Sequence, residues 1–453
     1  MTNDANRSWN RHLPEALRSR LAERPNLLRV LANTGWLFAD KVVRMSVGLL
    51  VGVWVARYLG PQEFGLLNYA IALVAIFGAV APLGLNRIVV RDLAKDSESA
   101  AVTLGTAFGL QVTGGAFAVG LVILFVHVAS PADTTIKLLA ALLSIALTLR
   151  ATDVIKYWFE AEIRSKYTVL VDGFAFFVSS TVKVVLILLH APLLAFVWAI
   201  ILETALSALG IAIFYSLKTR ALGNWRFRFW RAKELLHQSW PIVLSALAIM
   251  VQARADQVML GSMIGSREVG QYSAAMRLIE AFGFVPTIIV GSIAPIVTRA
   301  KQESSDRYRE RMIDVYRVMF ITFLAVAIPI FLFGRSFTIF LLGSDYSKAG
   351  SLLALFAVRQ FFVNFGVARS LYITNENLFK YGLLSAVVGS ILNIVLNYFL
   401  IPTYKSDGAL LATVISFLAS IFLVDLFSAG TRTNVLWMAI GIVTPHKLKA
   451  LNR

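Results

Sequence analysis

Fourteen ionisable side chains fall within stretches of this sequence that are apolar enough to cross a bilayer, eight of them cationic and six anionic. In the first half they are Asp40, Lys41, Arg44, Arg150, Asp153, Asp172, Lys183 and Glu203; in the second they are Arg254, Asp256, Arg277, Glu280, Arg359 and Arg369. A charge at the middle of a membrane helix costs roughly 2.5 to 3.5 kcal/mol on insertion scales, so such residues face a cavity, a partner or the bundle interior. Asp40 and Arg44 stand four residues apart, and Arg277 and Glu280 three, so each pair can neutralise itself along one helix face. Lys183, Arg359 and Arg369 have no carboxylate at helical spacing.

Guanidinium offers paired donors to phosphate oxygens and stays charged when desolvated. Lys41, Arg44, Arg254, Arg277, Arg359 and Arg369 are therefore candidate ligands for an anion of phosphate character. Arg359 and Arg369, ten residues apart, lie within about 80° of each other around an ideal helix and can line one groove. For Lys183 and Arg369 the other reading is a side chain reaching towards the headgroups. Asp40, Asp256 and Glu280 are candidate ion-coupling groups, and their spacing specifies no particular cation. Asn364, Asn393 and Asn397 can hydrogen-bond either a sugar or a neighbouring helix. The chain has no cysteine, its five histidines sit near span ends or in tails, and it has no P-loop. No catalytic constellation, metal centre or cofactor site is expected.

The elements that hold these charges follow from composition. Of 453 residues 58% are hydrophobic and 15% charged, against roughly 45 to 50% and about 25% in soluble domains. The continuous apolar runs predict an all-α polytopic membrane protein of about twelve transmembrane helices, because runs without alternation are helices and not strands of a barrel. A polar, arginine-rich segment at 1–33 reads as a cytoplasmic amphipathic or disordered stretch. Six spans then fill 34–217, a basic cytoplasmic linker occupies 218–237, six more spans fill 238–428, and a cytoplasmic tail covers 429–453.

The two sets of six resemble each other. LGPQEFGLLNYA at 59–70 aligns with IGSREVGQYSAA at 264–275, placing Gly60, Glu63, Gly65 and Ala70 on Gly265, Glu268, Gly270 and Ala275. Pro82 falls near Pro286, and equivalent bends there are candidate hinges. Lysine and arginine concentrate in alternate loops, which predicts that both termini are cytoplasmic. That topology, with contact to anionic lipid, accounts for the net charge of +17 without nucleic acid.

The segment GWLFADKVVRMSVGLLVGVWVARYLGPQEFGLLNYA and the segment SWPIVLSALAIMVQARADQVMLGSMIGSREVGQYSAAMRLIE at 239–280 resemble the polysaccharide-exporting flippases of the O-antigen and capsule type. These belong to the multidrug/oligosaccharidyl-lipid/polysaccharide exporter superfamily. The resemblance implies two pseudo-symmetric six-helix bundles in a V around a central cavity, in the cell (inner) membrane. It implies a non-enzymatic carrier that takes polyprenyl-pyrophosphate-linked oligosaccharide from the cytoplasmic to the outer leaflet by alternating access. Its implied partners are that lipid, the surrounding membrane lipids and other polysaccharide assembly proteins. The family's Arg-Tyr-Leu-Gly turn falls on Arg57, Tyr58, Leu59 and Gly60, and its Arg-x-Asp pair on Arg254 and Asp256. Two other readings stay open on the residues: an ion-coupled small-molecule antiporter of the same fold, and a non-transporting scaffold of a polysaccharide synthase.

Overall fold

The computed structural model describes residues 25–448 apart from 97, 130–132 and 220–221, with side chains from residue 42 onward except at 222. The predicted segment at 1–33 thus lies largely outside the described residues. Lipid offers the backbone no hydrogen bonds, so the apolar runs satisfy themselves as helices. These are α1 (Pro25–Gly78), α2 (Asn86–Lys95), α3 (Ala100–Ala129), α4 (Thr134–Leu149), α5 (Asp153–Ala161), α6 (Lys166–Leu188) and α7 (Leu193–Thr219) in the first half. The second half holds α8 (Phe229–Met263), α9 (Ser266–Glu280), α10 (Phe284–Glu303), α11 (Ser305–Leu342), α12 (Ser347–Asn375) and α13 (Phe379–Leu418), then α14 (Val424–Leu426) and α15 (Ala429–Val443).

Among the described residues, ten helical stretches are long and apolar enough to cross a membrane. Two of them are double. A straight helix of the length of α1 would reach about 80 Å, against a hydrocarbon core of about 30 Å. It is broken at Gly60 (φ 67°, ψ 170°), and Pro61 opens the next limb. The helix α13 breaks at Lys405 (φ 52°, ψ −131°) just after Pro402, and Gly408 then lies so close to Leu400 that a Cβ on it would stand 2.4 Å from that carbonyl oxygen. The chain has turned back on itself there. Counting each limb gives the twelve spans expected from the sequence.

Both prolines of the repeat sit at helix breaks. Between α1 and α2, residues 79–85 form turns with Leu83 and Gly84 at positive φ, and Pro82 lies among them. Pro286 follows the break between Glu280 and Phe284. The tail helix α15, at 15 residues, is too short to span and packs on α11, where the Tyr316 hydroxyl donates to Asn434 Oδ1 at 2.6 Å.

The halves meet chiefly through α1, which packs against α8 and α9 as well as against α6 of its own half. At the turn end the contact is backbone to backbone, with Gly65 against Ser266 and Gly270 against Pro61. At the other end of α8, Arg231 pairs with Asp92 at 2.7 Å, Arg91 donates to Gln238 at 2.6 Å, and Gly84 abuts Ile242.

Candidate functional site

Three of the predicted cations gather around α9. Arg254 on α8 donates to Gln257 Oε1 at 3.2 Å and approaches the Met276 sulfur. Arg277 on α9 lies over the Phe64 ring at 5.7 Å and fills the space left by Gly52 on α1, where a Cβ would stand 2.3 Å from its Nη1. Arg359 on α12 sits between the rings of Phe356 and Phe417, at 6.0 and 5.4 Å. Amide, sulfur and aromatic faces position all three, and no salt bridge to a carboxylate is present for any of them among the described residues. Aromatic faces attract a guanidinium without occupying its N–H donors in the ring plane, so the donors stay available to an anion.

Two residues from Arg254, the Asp256 side chain points the other way and is 4% exposed. Its carboxylate accepts hydrogen bonds from the hydroxyls of Tyr272 and Thr413, from Asn393 Nδ2 at 3.1 Å and from Asn397 Nδ2 at 2.8 Å. Four neutral donors on α9 and α13 thus hold a carboxylate that has no salt-bridge partner among the described residues. Asn397 Oδ1, buried beside it, has no hydrogen-bond donor among the described residues. An acid, two hydroxyl oxygens and a free amide oxygen form an oxygen set of the kind a small hard cation or a proton takes. Spacing hid Tyr272 and Thr413; the four-residue interval of Asn393 and Asn397 was the available signal, since it places both on one helix face.

The first half organises its charges differently. A cavity of about 200 Å³ lies between α1, α4, α5, α6 and α7. Lys156 on α5 reaches into its wall, bonding Asp153 at 2.9 Å, Asp172 at 2.9 and 3.0 Å, and Ser207 at 3.1 Å. Ser207 in turn donates to Asp172 at 2.5 Å. Arg44 points to the Asp172 carbonyl at 3.5 Å and lies over Phe176. Lys156 is thus a wall residue of the cavity. Lys183, without an acid at helical spacing, meets Glu203 of the next helix at 3.3 Å.

Arg369 stands apart from Arg359. It is 8% exposed and grips Asp425 through Nε and Nη2 at 2.7 and 2.6 Å, with Ser385 at 3.2 Å. Its Nε and Nη2 are taken by partners 56 and 16 residues away, a distance no helical-spacing argument reaches, so the single groove expected for Arg359 and Arg369 does not form. Glu280 is exposed, and Asp40 and Lys41 lie outside the residues whose side chains are described.

Two sets of apolar helices thus meet through α1 and α9, with arginines in the interior. The fold matches an inward-facing multidrug resistance MATE family transporter of the MOP superfamily with a TM-score of 0.67, at 18% identity over 90% of this chain and 96% of that one. It also matches the lipid II flippase MurJ in an inward closed conformation with a TM-score of 0.64, at 15% identity over 92% of each. Residues 54–351 match the family described as polysaccharide biosynthesis protein, and the chain belongs to that family. A putative O-antigen transporter of Shigella flexneri is 20% identical over 320 residues, covering 68% of this chain and 74% of the relative.

Proposed function

We propose that this protein is a flippase that moves polyprenyl-pyrophosphate-linked oligosaccharide from the cytoplasmic to the outer leaflet of the cell inner membrane, with both termini in the cytoplasm. The observation that carries the reading is the gathering of Arg254, Arg277 and Arg359 around α9 with no salt bridge to a carboxylate among the described residues, which supplies paired donors for a pyrophosphate. Membership of a polysaccharide biosynthesis family supports the saccharide part. Lys41 and Arg44 sit on the facing helix of the other half. The bundles, 34–217 and 238–428 about a linker at 218–237, rock about the breaks at Pro82 and Pro286.

Moving two negative charges outward across a membrane negative inside releases roughly 4.6 kcal/mol at 100 mV, so the potential favours this direction without ATP. Asp256, held by neutral donors beside the free Asn397 oxygen, is the coupling site for a cation or proton returning inward.

The test is flipping of a pyrophosphate-linked oligosaccharide lipid in proteoliposomes, read as outer-leaflet accessibility. Movement in the wild type and its loss in Arg254→Ala/Arg359→Ala supports the reading. A wild type that moves none of several such lipids overturns it, and equal movement in both proteins removes these arginines from the mechanism.

A further inference from the structure

The cavity of the first half differs in chemistry from the arginine cluster of the second. Its charges are cancelled internally: Lys156 is held by Asp153 and Asp172, and Glu203 by Lys183. Arg44 and Arg150 also line the cavity, so with Lys156 its three cations balance its three carboxylates and leave no net charge to draw an anion, and a metal cation would find Asp153 and Asp172 already facing an ammonium. What remains is a nearly neutral wall dense in hydrogen-bond donors and acceptors, among them Thr152, Thr204, Ser207 and the solvent-facing edges of Asp153 and Glu203, whose side chains are 30% and 32% exposed. A neutral group carrying several hydroxyls matches that wall, and the cavity's 200 Å³ suits a single sugar ring.

The cavity is also placed at a usable distance from the arginines. Arg44 lines it, and Gly48 and Gly52 continue the same stripe of α1, with Gly52 carrying the Arg277 guanidinium. Eight residues of helix separate Arg44 from Gly52, which is about 12 Å along the axis. Between them the stripe has no side chain, and the Phe176 ring borders it, 3.7 Å from where a Gly48 Cβ would stand. A group bound at Arg277 and a sugar in the cavity can therefore belong to one molecule lying along α1.

We propose that the first-half cavity is a sugar subsite that receives a ring near the pyrophosphate of the lipid-linked substrate, so that selection among sugars is made by the first half and binding of the pyrophosphate by the second. This rests on the flippase reading above. Truncating one hydrogen-bonding wall group alters affinity for a matching sugar by about tenfold, the effect of one unsatisfied polar group.

The full chain in nanodiscs tests the division, with bound lipid quantified for polyprenyl pyrophosphate alone and for the same lipid bearing one neutral hexose, one deoxyhexose or one N-acetylhexosamine. The wild type is expected to hold at least one sugar-bearing lipid about tenfold better than the bare lipid. Thr204→Val/Ser207→Ala, which keeps the volume, and Ala208→Trp, which fills the cavity, both erase that preference and leave bare-lipid binding unchanged. Arg254→Ala/Arg359→Ala weakens bare and sugar-bearing lipid alike. Equal binding of bare and all sugar-bearing lipids by the wild type, or a preference that survives both cavity variants, overturns the subsite while the flippase reading stands. A wild type that binds no pyrophosphate lipid overturns the flippase reading and the subsite with it.

Discussion

Gly65 and Gly270 occupy the same position in the two halves, and each abuts the turn that opens the other's helix. A Cβ on Gly65 would stand 1.7 Å from the Ser266 carbonyl oxygen, and one on Gly270 would stand 1.9 Å from the Pro61 carbonyl oxygen. Ser266 and Pro61 are themselves equivalent positions, each following a glycine at positive φ, Gly265 at 123° and Gly60 at 67°. The repeated motif thus docks on its own copy across the seam. Tyr346 joins the same seam, its hydroxyl donating to the Ala56 carbonyl at 2.7 Å.

Gly65→Ala or Gly270→Ala should force this seam apart, at a cost of about 1 to 3 kcal/mol to the closed arrangement. The natural chain has no cysteine, so one introduced at Ala70, which is buried beneath the turn, reports the opening. Its maleimide labelling should accelerate about tenfold for each 1.4 kcal/mol lost. Unchanged labelling would mean that the seam yields elsewhere.

Arg369 and Asp425 should behave as a structural pair. Removing either partner leaves a buried charge, and Arg369→Met or Asp425→Leu alone should destabilise the protein by about 3 to 5 kcal/mol. The double variant Arg369→Met/Asp425→Leu should recover most of the thermal stability and of the transport. Stability restored while transport stays lost would make Arg369 a substrate ligand.

Gly52 should be as necessary as the arginine that rests on it. Gly52→Leu displaces the Arg277 guanidinium and should lower the affinity for polyprenyl pyrophosphate by roughly ten- to a hundredfold, as the loss of a hydrogen bond to a charged group does. The same loss in Arg277→Ala, with no further loss in the double variant, would confirm that one side chain acts through the other.

Asp256→Asn should uncouple transport from ion gradients while leaving the fold intact. The amide keeps the volume, but it carries no charge to balance a cation and presents an NH₂ to neighbouring donors, at a cost of about 1 to 3 kcal/mol. Flipping rates measured with and without imposed sodium and proton gradients give the readout. A gradient response equal to that of the wild type would remove Asp256 from coupling.

Much of this was legible in the chain. The apolar runs required helices, because a backbone in lipid must bond to itself, and the recurrence of Gly60-x-x-Glu63-x-Gly65 at Gly265, Glu268 and Gly270 marked the repeat. Charges inside those runs marked the interior, because lipid does not tolerate them singly. Spacing along one helix, however, reports only partners three or four residues away. It could not show that Arg369 meets Asp425 or that Lys183 meets Glu203, since those contacts cross between helices. It likewise could not separate Arg254 from Asp256, neighbours in sequence whose side chains leave α8 in different directions. The sequence by itself determined that the chain folds into helices long and apolar enough to cross a membrane and which residues could not face lipid. Only the packing of one helix on another decided which charges cancel, which carboxylate has no cation and which arginines keep their donors free, because charge compensation depends on distance in space.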